Sequence, residues 1–267
     1  MNHLRYLLEE DSPKGRLDCA ALELATIDTP DLQPEPWLHR LNELASQLGD
    51  RLRNFNDGRD FVETAQRFLF GELGFHGNEE DFFDPRNSCL NQVLERRVGI
   101  PITLSVMYME IARRLAMPVF GISLPRHFVI QFDDGNYSTY IDPYNGGRTL
   151  TAQECFALAQ AKVADPVLLR RASKKEIAIR MLQNLRGVYL RRQDWARAVL
   201  TLDLLLIGAP ELPGWYKQRG LLQLELKRFQ AARRDLERYL ALDPNAADCA
   251  AIRKQLQAIH TWLARVN

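Results

Sequence analysis

The C-terminal third of the chain repeats itself with a period of 34 residues, and this repeat constrains the fold more than any other sequence feature. The shift superposes four pairs: Trp195 on Phe229, Ala198 on Ala232, Leu202 on Leu236, and Pro210 on Pro244. Each copy is typical of two helices, because small alanines allow close helix approach and a proline ends the second helix. The sequence therefore predicts stacked helical pairs that bury their apolar sides against one another.

This repeat resembles the tetratricopeptide repeat, in which the same period, small residues, aromatics and terminal prolines occur together. We expect copies at residues 179–212 and 213–246, followed by a capping helix. The apolar side of that helix is formed by Ile252, Leu256, Ile259 and Leu263. Arg186 stands where the first copy should have a small glycine, and Gln223 replaces the aromatic residue seen at Tyr189. Because two copies are too few to fold alone, we expect them to dock on the preceding domain.

The charge balance and the cysteine spacing exclude several classes of protein. The chain has 35 Lys and Arg residues against 34 Asp and Glu residues, a net charge of +1, which gives no general electrostatic case for nucleic acid or membrane as a partner. Its longest strongly apolar run has four residues, far below the roughly 18 of a membrane span. The cysteines lie far apart without a Cys-x-x-Cys pattern, at Cys19, Cys89, Cys155 and Cys249. We therefore expect a cytoplasmic protein with reduced thiols, no metal and no cofactor.

The middle of the chain is predicted to contain a central helix. Up to about Glu80 the apolar spacing is helical, and a short helix from Leu90 is predicted to end at Gly99. A second helix begins at Pro101, because proline suits the first helical position, where its missing N–H costs nothing. Apolar residues occur on more than one side of this second helix, which indicates a helix that is packed on several sides.

Three strand-like runs follow the central helix, at residues 119–123, 127–132 and 137–141. The intervening Asp133–Asn136 is typical of a hairpin turn, and Asp142–Gly147 is predicted to end the sheet. The fold class is therefore α+β, with one helix laid against a small antiparallel sheet.

Four segments of this region resemble the core of the transglutaminase-like, papain-related superfamily: Val93–Ser105, Arg113–Pro118, His127–Val129 and Tyr140–Pro143. Enzymes of that superfamily place a cysteine at the start of the central helix, followed by a histidine and an aspartate on later strands. The helix N-terminus favours the thiolate, the imidazole exchanges the proton, and the carboxylate orients the imidazole. The resemblance implies that His127 and Asp142 are the histidine and the aspartate.

The same resemblance places Pro101 at the cysteine position, and proline carries no nucleophile. Thr103 and Ser105 lie further along the helix, where they face away from this position or sit a turn deeper. Cys89, twelve residues upstream, is the alternative nucleophile, although a free cysteine in a helix is more often a small buried hydrophobe. Asp142 has a structural interpretation too, as the cap of the turn that follows it.

The whole arrangement resembles the bacterial SirB-type family, which combines a transglutaminase-like core with C-terminal tetratricopeptide repeats. We therefore expect a transglutaminase-like domain with a helical lead-in at residues 1–165 and an all-α repeat domain at residues 166–267. The basic stretch Leu168–Lys175 lacks interleaved aromatics, which favours an exposed linker over a nucleic-acid patch.

Two functions remain open at the level of sequence. The first is a non-catalytic interaction or scaffold protein, a pseudoenzyme whose repeats offer a groove to a peptide or protein partner. The predicted groove residues are Gln183, Gly187, Leu190, Arg191, Lys217, Leu221 and Leu224. The second is a cysteine-dependent protease or acyl-transferase with Cys89 as nucleophile and His127 as base. Fast alkylation of Cys89 and its proximity to His127 would favour the second function.

Overall fold

A computed structural model describes residues 2–10 and 15–266 of the chain. It divides into two compact units, Met1–Met181 and Leu182–Asn267, and the division falls inside one long helix. Met1 and Asn267, where the two predicted domains begin and end, lie outside the described residues. Within the described part of the chain, no helix is both long enough and apolar enough to span a bilayer.

Helices surround the sheet of the first unit. They are α1 (Asn2–Glu10), α2 (Leu17–Ala25), α3 (Glu35–Gly49), α4 (Gly58–Ala65), α5 (Leu90–Arg96), α6 (Pro101–Arg114) and α7 (Ala152–Leu158). A π-helical segment, Gln66–Glu72, continues α4. Local caps explain where two of them begin. The Asp57 carboxylate accepts the N–H groups of Arg59 and Asp60 in the first turn of α4, and Thr151 and Glu154 form a reciprocal capping box on α7.

The central helix α6 is confirmed as the core of this unit. It packs against the sheet on one side and against α2 and α3 on others. Leu104, Met107 and Tyr108 share one side of the helix and Val106 lies on another, and all four are buried. Proline occupies its first position, as the sequence predicts.

The main sheet has four antiparallel strands in chain order. They are β3 (Val119–Leu124), β4 (His127–Asp133), β5 (Ser138–Asp142) and β6 (Arg148–Leu150). In the hairpin between β4 and β5 the Asp134 carboxylate accepts two backbone N–H groups, and Gly135 adopts a φ of 87°. The α+β fold class is confirmed.

The prediction that the sheet ends at Asp142–Gly147 is wrong. This segment is a tight turn, and Asp142 pairs across it with Arg148 at the start of β6. A strand of three residues carries too little alternation to be recognised from the sequence. A further two-residue pair, β1 (His76–Gly77) and β2 (Val98–Gly99), runs parallel.

One more local prediction is wrong. The short helix α5 ends at Arg96 rather than at Gly99, and Arg97 takes the left-handed conformation with a φ of 62°. In the stretch Leu168–Lys175, predicted to be an exposed linker, Arg170, Arg171 and Lys174 are exposed. The stretch is nevertheless attached to the sheet, because Ala172 donates its N–H to the carbonyl of Gly121 in β3. Arg171 adds hydrogen bonds to Gln131 and Asp133, so the segment covers the edge of the sheet.

The second unit is built from paired helices. They are the C-terminal part of α8 (Lys174–Arg191), α9 (Trp195–Gly208), α10 (Pro213–Glu225), α11 (Phe229–Leu242) and α12 (Cys249–Val266). As predicted, α9 and α11 end just before Pro210 and Pro244. A Cβ on Gly220 would lie 2.9 Å from Leu236, so the small residue permits close packing of α10 on α11.

An arginine links three helices of the second unit. The Arg219 guanidinium on α10 donates a hydrogen bond of 2.7 Å to the Asp203 carboxylate on α9. It also donates two hydrogen bonds, of 2.6 and 2.7 Å, to the two carboxylate oxygens of Asp235 on α11. Such forked bonding fixes the two carboxylates relative to each other. The ion pairs therefore hold one repeat against the next.

Candidate functional site

The hairpin of β4 and β5 brings His127 and Asp142 together. His127 opens β4 and Asp142 closes β5, so antiparallel pairing places the two residues at the same end of the sheet. The Nε2 atom of His127 lies 3.0 Å from Oδ1 of Asp142. This is the pairing that the resemblance predicts.

Asp142 also serves the structural purpose that its position suggests. Its Oδ1 accepts the backbone N–H groups of Tyr144 and Asn145, and its Oδ2 accepts the Asn145 amide at 2.7 Å. The carboxylate is completely buried. Burial by itself would raise the pKa of Asp142, but the hydrogen bonds and charge from His127, together with Asn145, outweigh it and lower that pKa. Asp142 is therefore an ionised group that orients His127 and caps the turn.

The His127 ring is held on a second side by Tyr144. The two rings meet edge to face with centroids 6.0 Å apart. Tyr144 is itself fixed, because its hydroxyl donates a hydrogen bond of 3.0 Å to the carbonyl of Asn78 and its ring fills the space beside Gly77. Phe82, from the acidic segment at residues 78–84, packs edge-on against Tyr144 with ring centroids 6.2 Å apart. The sequence gives no sign of this contact, since 62 residues separate the two rings.

A cavity of about 610 Å³ lies beside Tyr144 and Asn145, and neither His127 nor Asp142 is among its lining residues. Tyr144 and Asn145 form one wall, and the β1–β2 segment with Arg96 forms another. Glu79 and Glu80 at its rim are exposed. The volume lies within the range of small-molecule and peptide sites.

The structure places no nucleophile against the imidazole within the described residues. Pro101 is the first residue of α6, and the buried hydroxyls of Thr103 and Ser105 have no hydrogen-bond partner there. Among residues 2–10 and 15–266, the side chain that forms a hydrogen bond with the His127 ring is that of Asp142.

Cys89 has other neighbours than His127. Its thiol lies 3.6 Å from Oδ2 of Asp28 and 3.5 Å from the carbonyl of Pro85, and the residue is buried. Burial, followed by the negative charge of Asp28, raises the pKa of Cys89 far above its ordinary value. Burial likewise raises the pKa of Cys19 to about 11 and that of Cys155 to about 12. These three thiols are therefore protonated and weakly nucleophilic at neutral pH.

The predicted groove residues lie on α8 and α10 in the second unit. Gly187 faces open space, since nothing lies within 4 Å of the position of a Cβ. Leu190 and Gln183 are half-buried, and Arg191 is exposed.

The α10 side of the groove is more occupied than its sequence suggests. Lys217 forms an ion pair of 2.9 Å with Asp248 at the start of α12. Leu221 and Leu224 pack partly against the apolar cluster between α11 and α12. Sequence spacing alone does not reveal these contacts, because they depend on where α12 docks.

Comparison with known proteins agrees with both parts of this architecture. The profile of the transglutaminase-like superfamily matches residues 35–183, and a tetratricopeptide repeat profile matches residues 185–257. The chain belongs to the transglutaminase-like superfamily. Both resemblances seen in the sequence are thereby confirmed at the level of domain composition, while the SirB-type assignment stays a prediction.

Relatives of this superfamily member occur in several bacteria. The "UPF0162 protein" of Xylella fastidiosa strain 9a5c is 34% identical over 263 residues, which is 96% of this chain and 92% of the relative. The "UPF0162 protein" of Vibrio cholerae is 29% identical over 259 residues, covering 95% of this chain and 96% of the relative. The human "F-box only protein 21" is 32% identical over 161 residues, 56% of this chain and 26% of that protein. No solved structure matches the chain significantly.

Proposed function

We propose that this member of the superfamily is a non-catalytic interaction protein, whose repeat unit binds an extended segment of a protein partner along α8 and α10. The observation that carries the proposal is the hydrogen bonding of His127. Its ring is fixed by Asp142, yet neither a thiol nor a hydroxyl of the described residues bonds to it. A general base without a nucleophile cannot start acyl transfer by the route of its superfamily.

The repeat unit supports the binding half of the proposal. Tetratricopeptide-type arrays form extended concave surfaces from their first helices, which suit peptide segments. The open space at Gly187 leaves room for a side chain of the partner. In the first unit, the imidazole of His127, which is fixed by Asp142, supplies a hydrogen-bonding group for a second contact with the partner.

The alternative, a cysteine enzyme that uses Cys89, has little support. The thiol is buried against Asp28, and its raised pKa disfavours the thiolate that attack requires. Moving the sulfur to the imidazole would break its present contacts with Asp28 and Pro85 and uncover part of the core.

Filling the groove at Gly187 tests the proposal. Tagged full-length chain and the Gly187→Trp variant are compared for the set of proteins they capture from lysate of the source cells, quantified by mass spectrometry. Gly187 is preferable to Lys217 or Leu221, because changing either of these also disturbs α12. The matched control is Leu200→Trp, which adds the same ring at a position on α9 that is 49% exposed.

The expected result is that Gly187→Trp loses the captured partners, whereas Leu200→Trp and His127→Ala retain most of them. Equal capture by Gly187→Trp and the unchanged chain would remove the groove from the proposal. Loss of capture in His127→Ala alone would move the binding site to the core.

A further inference from the structure

A second cavity in the first unit lies away from His127 and Asp142. It has a volume of about 400 Å³ and is bounded by the start of α2, the end of α6, strand β3 and the start of α8. Most of its wall is apolar, formed by Leu17, Met109, Met117, Val119, Phe120 and Ile177. A volume of this size suits one small apolar molecule rather than a protein segment.

Three ionisable residues line this wall, Glu110, Arg113 and Lys174, and they differ in their hydrogen-bond partners. Glu110 accepts hydrogen bonds from Arg113 at 2.8 Å and from Arg114 at 3.1 Å, and its side chain is 4% exposed. Its carboxylate is therefore already paired. Lys174 is exposed, and within the described residues its ammonium donates to the carbonyl of Gly15 at 3.1 Å without a carboxylate partner.

The ion network behind the cavity carries an excess of positive charge. Arg16, Arg113 and Arg114 share the two carboxylates of Asp18 and Glu110, so three guanidinium groups face two carboxylates. Lys174 adds a fourth cation at the cavity wall. The excess positive charge attracts an anionic head group and repels an ammonium head group. Glu110 does not offset this repulsion, because its carboxylate is already paired with Arg113 and Arg114.

We propose that this cavity binds a free monocarboxylate with a medium-length hydrocarbon chain, the chain lying among the apolar side chains and the carboxylate on Lys174. The apolar wall supplies the affinity by burial of the hydrocarbon chain. The ammonium group supplies the preference for an anion, because a charge-assisted hydrogen bond is stronger than a neutral one.

Three ligands that differ in head group test the proposal on the full-length chain. Decanoate and decyltrimethylammonium are titrated by isothermal calorimetry below their micelle concentrations, and decanol is titrated below its solubility limit. Decanoate is expected to bind one per chain and at least ten times more tightly than decanol, and decyltrimethylammonium is expected not to bind. Absence of decanoate binding at millimolar concentration overturns the proposal, as does equal affinity for all three ligands.

Variants locate the site. Lys174→Gln is expected to weaken the binding of decanoate about tenfold, equivalent to about 1.4 kcal/mol, and to leave the affinity for decanol unchanged. Lys174→Arg is expected to keep the preference for the anion. Lys175→Gln, which changes the neighbouring lysine outside the cavity wall, is the matched control. Ala172→Phe, which places a ring in the cavity, is expected to abolish binding of decanoate and decanol. Thermal melts confirm folding of each variant. Undiminished decanoate binding in both Lys174→Gln and Ala172→Phe would overturn the assignment.

Discussion

The Nε2 atom of His127 lies 3.0 Å from Oδ1 of Asp142, and the same carboxylate holds the turn that carries Tyr144 and Asn145. One buried group therefore orients the imidazole and fixes the loop between β5 and β6. Asp142 therefore contributes to stability independently of any catalytic role.

Removing the Asp142 carboxylate is expected to destabilise the fold strongly. Asp142→Ala leaves the side-chain donors of His127 and Asn145 and two backbone N–H groups without their acceptor, at a cost of about 3 kcal/mol. His127→Ala removes one of these bonds and is expected to cost about 1 kcal/mol. Urea unfolding followed by circular dichroism measures both free energies. A smaller loss for Asp142→Ala than for His127→Ala would contradict the structural role of the carboxylate.

Stability is expected to fall on acidification, partly through Asp142. Its pKa is lowered in the folded state, so its contribution is fully present above its unfolded pKa of about 3.9 and is lost as the pH falls through the folded pKa. Asp18 behaves alike: burial would raise its pKa, but hydrogen bonds from Arg16 and Arg114 lower it. Urea midpoints between pH 6 and pH 2 are expected to fall less steeply for Asp142→Asn than for the unchanged chain. An identical slope would show that Asp142 does not titrate as described.

Two glycines of the second unit are expected to respond oppositely to alanine. Both changes gain helix propensity, but a Cβ at position 220 meets Leu236 at 2.9 Å, whereas one at position 187 meets nothing. Gly220→Ala is therefore expected to lose about 1–2 kcal/mol, since α10 and α11 must move apart. Gly187→Ala is expected to gain up to about 1 kcal/mol. Thermal unfolding distinguishes them, and a gain for Gly220→Ala would refute the close packing.

Arg219→Ala is expected to destabilise the repeat unit by about 2 kcal/mol, a value between those of exposed and buried ion pairs. The variant leaves Asp235, whose side chain is 8% exposed, without its forked partner. Arg253→Ala, on the exposed side of α12, is the control and is expected to change stability by less than about 0.5 kcal/mol. Hydrogen exchange of α9 to α11 is expected to rise in the first variant only. Equal exchange in both would show that Arg219 does not link the repeats.

Much of the fold is predictable from the sequence because it depends on periodic signals. The 34-residue repeat predicts the paired helices, Pro101 marks the start of α6, and Asp133–Asn136 marks the hairpin. The short strands β1, β2 and β6 escape prediction, since two or three residues show no periodicity and are held by partners distant in sequence. Arg97 ends α5 in a left-handed conformation that glycine usually adopts, which misplaces the helix end at Gly99.

The candidate site is predictable only in part. The strand order and the superfamily pattern predict that His127 and Asp142 lie together, because a single hairpin joins their two strands. Tyr144 and Phe82 become part of the site through contacts across the chain, and the burial of Cys89 against Asp28 depends on packing between residues 61 positions apart. Such long-range packing has no local signature in the sequence.

The rate of thiol alkylation tests the non-catalytic proposal most directly. The folded chain and its His127→Ala variant are treated with iodoacetamide at neutral pH, and labelling of each cysteine is followed by peptide mass spectrometry against free glutathione. Cys89 is predicted to react more slowly than glutathione and at the same rate in both chains, because its thiol is buried and protonated beside Asp28. Faster reaction of Cys89 than of glutathione, with loss of that reactivity in His127→Ala, would contradict the proposal and establish a cysteine–histidine pair.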